Sequence, residues 1–270
     1  MEIYHIRLHY QVERLIRLPR FGTPAVRGIL GYAFKAESPD AYSILFGKSE
    51  HGFAVKPYAI DMPMADTLVF HSGDSFSFDL YLFGEIKDKI RMQSFTFLQT
   101  MEIGDARGKL RFVNAVDAST AQARTIATVG ELRPLRFLPL KTSKRMQIDF
   151  VTPLSIKHLN DFDDFSFSYF LQRMKERMQA IGFTEQDVQP EANISEVDAV
   201  RKLFANAIRY DVKHYSRYRK GYIHYKPAFV GSIRFEGDFE PFVRWMQITQ
   251  KTGIGRGTSS GLGRFIFRFL

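Results

Sequence analysis

The 270-residue sequence contains no cysteine. That excludes a disulfide framework and any metal site built on thiolates, and a reducing cytoplasm is the expected location. Long apolar runs are missing as well: no stretch of about 18 uncharged apolar residues occurs, so no membrane-spanning helix is expected. The opening MEIYHIRLHYQVERLIRLPRF carries a charge every few residues and lacks the apolar core of a signal peptide. Acidic residues are the scarcer charged class, 29 against 38 Lys and Arg, leaving a formal net charge of +9. Such an excess favours a polyanionic partner, because cations placed near phosphates release condensed counterions. The balance of hydrophobic (45%) and charged (25%) residues is that of a folded protein, and the length suits two domains.

The first residues alternate, with Tyr4, Ile6, Leu8 and Tyr10 on one side and Ile3, His5, Arg7 and His9 on the other, which predicts a half-buried strand. Thr23 is placed to cap a helix with Pro24 in its first turn, followed by Val26, Leu30 and Phe34 at helical spacing. Ser38-Pro39 ends that helix or restarts it as a short one carrying Tyr42, Leu45 and Phe46. Short strands are expected over 56–60 and 67–70, an alternating strand over 75–83, a helix from Ile86 to Met101, and a strand from Gly108 to Val116. The Pro-rich 133–139 reads as a linker, giving domains at 1–135 and 140–270. The second half offers a strand at Met146–Phe150 and a helix at Phe165–Ile181 capped by Asp163 or Asp164. A helix at Ser195–Ala207, a strand at Phe229–Phe235, a helix at Phe239–Gln250 and a strand at Arg264–Phe269 follow. Strand, helix, strands, helix, strand is the ferredoxin-like order, so the expected class is α+β: two tandem ferredoxin-like domains with antiparallel sheets.

The densest signal is the run 253–263, GIGRGTSSGLG, with Gly253, Gly255, Gly257, Gly261 and Gly263 in eleven positions. Glycines let backbone amides turn towards a phosphate, and Lys251, Arg256 and Arg264 supply charge beside them. A dinucleotide fingerprint needs a crossover helix after the glycines, and too few residues remain; a Walker loop needs Lys-Ser/Thr after its last glycine, where Leu262 follows Gly261. A purely structural turn is the competing reading. Upstream, residues 209–226 read RYDVKHYSRYRKGYIHYK, six cations and five tyrosines with one acid. Tyrosine rings and Arg planes stack on unpaired bases while cations hold the backbone, so Lys213, His214, Arg217, Arg219 and Lys220 are candidate RNA contacts on a hairpin turning at Gly221.

The glycine-loop pattern resembles the signature of the RAMP superfamily of CRISPR proteins. The segment 229–238, together with 27–31, 42–46, 56–58 and 150–154, is similar to the repeat-processing endoribonucleases within it. The resemblance implies an enzyme that binds CRISPR repeat RNA (pre-crRNA) and cleaves it without metal or cofactor. The ribose 2′-hydroxyl attacks the adjacent phosphate, giving a cyclic phosphate and a 5′-hydroxyl. It also leaves open a non-catalytic RAMP subunit holding guide RNA with other CRISPR effector subunits, and a homodimer. The family's catalytic His, at the end of the first helical segment, corresponds here to Phe46, which cannot carry protons. His51 is the nearest replacement, with Lys48 or Lys56 as the cation and Tyr32 at the family's second catalytic position. His5 and His9, four apart on a strand, are about 13 Å apart and too far to share a metal. Asp161, Asp163 and Asp164 read as caps, and no metal site is expected. His214 and His224 flank the basic segment as RNA contacts or surface residues.

Overall fold

A computed structural model describes residues 1–47, 55–66, 68–95, 98–104, 107–184, 197, 199–216 and 221–270, with the backbone alone at 214–216. The chain divides into two compact units, Met1–Arg136 and Phe137–Leu270.

The first unit runs β1 (Ile3–Arg14), β2 (Ile16–Leu18), α1 (Thr23–Glu37), α2 (Pro39–Phe46), β3 (Tyr58–Asp61), β4 (Leu68–Phe70), β5 (Ser75–Phe83), α3 (Ile86–Lys89), β6 (Thr100–Ile103), β7 (Gly108–Asp117) and β8 (Arg124–Ile126). Its antiparallel main sheet is ordered β3-β5-β1-β7-β6, so the late strand β7 returns beside β1, as a ferredoxin-like fold requires. Tyr4, Ile6, Leu8 and Tyr10 of β1 are buried in one core with Val26, Leu30 and Phe34 of α1. Period two meets period 3.6 there, as the sequence predicts. Thr23 is itself the first helical residue, with Gly22 in the cap position.

The expected helix at 86–101 is a single turn. Of the apolar residues that suggest the helix, Ile90, Leu98 and Met101 are buried and Phe97 lies outside the described residues, but the backbone over 91–95 bonds sideways. Phe95 N–H donates to Ala127, while Val129 and Gly130 donate to Gln93 and Arg91. Thr100–Ile103 then pairs with β7. Apolar spacing alone cannot separate a helix from an irregular chain laid over the same core.

The second unit runs β9 (Arg145–Leu154), α4 (Phe167–Ala180), β10 (Arg201–Arg209), β11 (Val212–Ser216), β12 (Gly221–Tyr225), β13 (Phe229–Glu236), α5 (Val243–Thr252) and β14 (Phe265–Phe269). Its sheet order, β10-β13-β9-β14, again sets the last strand beside the first. The core is built on phenylalanine: Phe150 lies 5.6–6.4 Å, centroid to centroid, from Phe162, Phe165, Phe170 and Phe265, mostly edge to face. Ser166, not Asp163 or Asp164, caps α4, its Oγ accepting from Tyr169 N–H at 3.1 Å. Asp161 accepts from Asp163 N–H in the preceding turn.

The helix expected at Ser195–Ala207 is overturned from Arg201 onwards. Arg201–Arg209 is a strand paired with β13 from Arg201↔Glu236 to Arg209↔Phe229; Ser195 lies outside the described residues. A register shift between Lys202 and Phe204 breaks the alternation that would have marked it as a strand. Leu203, Phe204 and Ile208 stay 41–55% exposed.

Candidate nucleic-acid interface

In the second unit α5 runs straight into the glycine-rich loop. All five loop glycines have positive φ, from +69° to +83°, a region that costs other L-residues about 1–2 kcal/mol. The loop is closed on itself: Ile254 N–H donates to Gly263 at 3.0 Å, Gly263 N–H to Pro153 at 3.0 Å, and Arg256 N–H to Ser155 at 2.8 Å. The amides of Gly253, Ser260, Gly261 and Leu262 also end on protein carbonyls. A Cβ on Gly263 would stand 1.8 Å from the Ile254 oxygen, and one on Gly255 2.6 Å from the Ser155 oxygen. The expectation that the loop amides cradle a phosphate is therefore corrected for most of them. Among the described residues only a few loop amides, those of Gly255 and Gly257 included, meet no acceptor. Gly253, Gly261 and Gly263 are buried, Lys251 and Gly257 half-buried, and Gly255 and Arg256 exposed.

Arg256 joins three segments. Its Nε and Nη2 donate to Ser155 Oγ at 3.2 and 2.6 Å, and Nη2 also reaches the Lys226 carbonyl at 3.2 Å. The basic segment is a hairpin of β11 and β12, in register from Val212↔Tyr225 to Ser216↔Gly221. Gly221 thus opens the second arm rather than forming the turn. Lys213 lies with Nζ 4.1 Å from the centroid of the exposed Tyr222 ring, a cation–π contact. At the hairpin root the Tyr225 ring would be 2.9 Å from a Cβ on Gly257, so root and loop pack as one piece. His214 pairs through its backbone with Ile223. Arg217, Arg219 and Lys220 lie outside the described residues.

In the first unit a cationic cluster forms at the C-terminus of α2. Lys56 Nζ donates to the Phe46 carbonyl at 3.2 Å and to the Gly47 carbonyl, where the helix dipole is negative. Burial, and then the charge of Arg27, lower the Lys56 pKa. Arg27 Nε donates to Tyr58 Oη at 3.0 Å, and its guanidinium lies 5.8 Å from the Phe46 centroid. Phe46 stacks with Tyr42 at 5.6 Å and leans on Tyr58 at 5.2 Å. At the end of α2, then, an aromatic ring sits beside two cations and a phenol. Tyr32 is 60% exposed on α1, and His51 lies outside the described residues. Sequence reasoning assigned Arg27 and Tyr58 no role; their signal was membership in the two short segments, 27–31 and 56–58, that carry the resemblance.

His5 of β1 has a structural setting. His5 is buried, stacked on Tyr81 at 4.4 Å, with Nδ1 3.1 Å from the Ala118 carbonyl and Nε2 3.2 Å from Asp79. Among the described residues no three His, Asp or Glu side chains converge as a metal-ligand set.

Comparison with known proteins bears on both units. Residues 1–136 match a family model described as an N-terminal domain, and residues 148–265 match the CRISPR-associated endoribonuclease Cas6. No curated protein matches. Among solved structures, a partial Cas6-RT-Cas1–Cas2 complex is 14% identical with TM-score 0.59 over 99% of this chain. This chain spans 46% of that protein's length. A Cas6 product complex is 12% identical (TM-score 0.57, covering 99% of this chain and 100% of that one), and Thermus thermophilus Cas6 is 14% identical (0.55, covering 99% and 98%). At these identities the structures establish the shared two-unit fold. The family match adds the rest for the part that carries the glycine-rich loop: residues 148–265 match the Cas6 family of CRISPR-associated endoribonucleases.

Proposed function

We propose that this protein cuts CRISPR repeat RNA within pre-crRNA by metal-independent attack of a ribose 2′-hydroxyl on the neighbouring phosphate. The observation that carries the reading is the convergence of Lys56 and Arg27 at the end of α2, beside Tyr58 and Phe46. In-line attack gathers negative charge on the non-bridging oxygens, and fixed cations stabilise that charge more in the transition state than in the ground state. Lys56 and Arg27 supply it. His51 removes the 2′ proton, Tyr32 orients the ribose, and the 5′-oxygen leaves with a proton, giving a 2′,3′-cyclic phosphate and a 5′-hydroxyl. Holding the Lys56 ammonium on two carbonyls favours its charged form, while burial and Arg27 oppose it. A phosphate entering between the two cations relieves that opposition.

The second unit holds the RNA. Arg256, Lys251 and the exposed Gly255 edge of the loop, with Lys213, His214, Arg217, Arg219 and Lys220 of the basic segment 209–226, contact the backbone and unpaired bases. The structural neighbours include a complex with Cas1–Cas2, and by that analogy other CRISPR subunits are partners here, with a homodimer as a further arrangement.

The test incubates purified protein with labelled repeat RNA in excess EDTA, alongside the same RNA carrying 2′-deoxyribose at the cut. Cleavage of the first alone, lost in His51→Ala with binding retained, is the expected result. Cleavage that needs added divalent metal, or that survives 2′-deoxy substitution, overturns the mechanism. Tight binding without a cut on any repeat identifies instead a guide-RNA-holding subunit, which Phe46 at the family's histidine position would explain.

A further inference from the structure

The four-stranded sheet of the second unit has one covered face and one open face. Phe167 and Phe170 of α4 pack on Phe235, Phe150 and Phe265, so Ile148, Phe150, Ile233 and Phe235 turn inwards. The residues between them turn the other way, and strand pairing sets them in rows: Arg201–Glu236–Arg145, Phe204–Arg234–Gln147–Arg268 and Asn206–Ser232–Asp149–Ile266. Both carboxylates of this face are taken. Glu236 accepts from Arg145 at 3.1 Å and Arg201 at 2.6 Å. Asp149 accepts from Gln147 at 2.6 Å and from Ser232, and pairs with Arg268 at 2.9 Å. Three neighbouring side chains are left over. Arg234 gives its Nε to Gln147 at 2.7 Å, yet among the described residues it has no carboxylate partner. Its guanidinium lies 5.6 Å from the ring centroid of Phe204, which is 46% exposed. Next to Phe204 on the same face, Asn206 is exposed, and its amide meets no partner among the described residues.

Core packing does not account for the trio, because Phe204 and Asn206 stand on the exposed side of β10, the edge strand of the sheet. Nor is that edge shaped for another strand: a bulge between Lys202 and Phe204 breaks its register, and Arg201, Lys202 and Arg209 line it. The sign of the face selects a polyanion. Four arginines, Arg145, Arg201, Arg234 and Arg268, stand there against two carboxylates, Asp149 and Glu236. An open aromatic ring on an antiparallel sheet is a stacking surface for an unpaired base. A guanidinium beside it supplies donors in a plane for a phosphate, and a free amide both gives and accepts at a base edge. Phe204 also lies about 17 Å along β10 from Arg209, where the basic segment 209–226 begins. One strand of RNA can therefore run from that segment onto the sheet.

We propose that the open face at Phe204, Arg234 and Asn206 is a further RNA site, which holds one unpaired nucleotide of the repeat: its base stacks on Phe204, its phosphate meets Arg234, and its edge is read by Asn206. This rests on the reading that the chain binds CRISPR repeat RNA. The site is separate from the glycine-rich loop and from the proposed cutting residues, so its contribution is to affinity and to the choice of base.

The experiment measures the affinity of the full chain for 2′-deoxy-blocked repeat RNA by fluorescence anisotropy, with each unpaired nucleotide replaced in turn by an abasic one. Phe204→Leu removes the ring and keeps an apolar side chain; Phe204→Tyr keeps the ring. The expected result is that F204L binds about fivefold to a hundredfold more weakly and F204Y within about twofold of wild type. One abasic position should weaken wild type by a similar factor and leave F204L unchanged, a coupling that a merely structural residue does not produce. Arg234→Gln should flatten the plot of log affinity against log salt by about 0.7, and it takes the abasic scan if F204L fails to melt cooperatively. Equal affinity of F204L and wild type, or the absence of any abasic position coupled to the variant scanned, overturns the inference. So does a change of self-association in F204L, read by sedimentation, with RNA affinity intact, which identifies a protein-docking face instead. A wild-type protein that does not bind repeat RNA fails one step earlier, at the proposed function, and takes the inference with it.

Discussion

Replacing Gly263 by Ala is the sharpest test of the claim that the glycine-rich loop is a closed knot. Gly263 sits at φ +69°, and its Cβ would stand 1.8 Å from the carbonyl oxygen of Ile254, whose own N–H donates to the Gly263 carbonyl. The blocking atom is backbone, so no side-chain rotation relieves the overlap. The left-handed backbone costs an alanine about 1–2 kcal/mol, and forced displacement of packed atoms about 1–3 kcal/mol. Losing the Ile254–Gly263 or Gly263–Pro153 hydrogen bond adds about 1 kcal/mol. The total, about 4 kcal/mol, is a large share of the roughly 5–15 kcal/mol that holds a domain together. At about 3 °C per kcal/mol, the transition of the second unit falls by about 12 °C. The control is Gly73→Ala, at φ +94° with nothing within 4 Å of the added Cβ, where backbone strain alone costs about 1 kcal/mol. Thermal and urea melts of both variants are compared with wild type. A Gly263→Ala loss no larger than that of Gly73→Ala refutes the reasoning.

Gly28→Ala should do the opposite, since Gly28 lies inside α1 with open space around its Cβ position; a gain of about 0.5–1 kcal/mol in a urea melt is expected. Asp79 gives a pH signature. Burial alone would raise its carboxyl, but hydrogen bonds from His5 and Arg7 outweigh burial and hold it well below the usual carboxylate range. Because the folded pKa is the lower one, its contribution is fully present above about pH 4 and lost as pH falls below that. The stability gap between wild type and Asp79→Asn, followed by denaturation at several pH values, should therefore be widest at neutral pH and close in acid. Lys56→Met should slow single-turnover cleavage of repeat RNA about 10²–10³-fold while leaving its Kd within about threefold, because the cation acts on charge that develops during the reaction.

The sequence was most legible where one physical demand dominates. The alternation of β1 and the spacing of Val26, Leu30 and Phe34 each bury one face of one element, and each element forms as predicted. Legibility failed where a competing partner lies far along the chain. Residues 86–101 carry a helical spacing, yet the segment at 127–130 takes their backbone bonds. In β10 the bulge after Lys202 interrupts the strand period, and only pairing with β13, more than twenty residues on, defines the strand. The site followed the same rule. The loop glycines were conspicuous in the sequence, but where their amides point depends on Pro153 and Ser155, about a hundred residues earlier. Arg27 gives no signal of its own, because its role arises only where Lys56, Tyr58 and Phe46 meet.

The two surfaces solve different problems with the same residue types. A loop that left its amides free would have to be ordered by each incoming RNA, at a cost in conformational entropy that falls on affinity. Here the glycines meet that cost during folding. Their positive φ values let the chain bond back on itself, to Pro153 and to Ser155. Arg256 then ties the finished knot to the root of the hairpin at Lys226. What such a loop offers RNA is a rigid edge with charge at fixed positions, suited to setting register rather than to wrapping a phosphate. At the end of α2 the arrangement runs the other way. Lys56 is held by two carbonyls yet disfavoured by burial and by Arg27, so its charge is best satisfied when a more negative group arrives. On the proposed function, a rigid edge fixes where the RNA lies, and a cation short of negative charge favours the step in which negative charge grows.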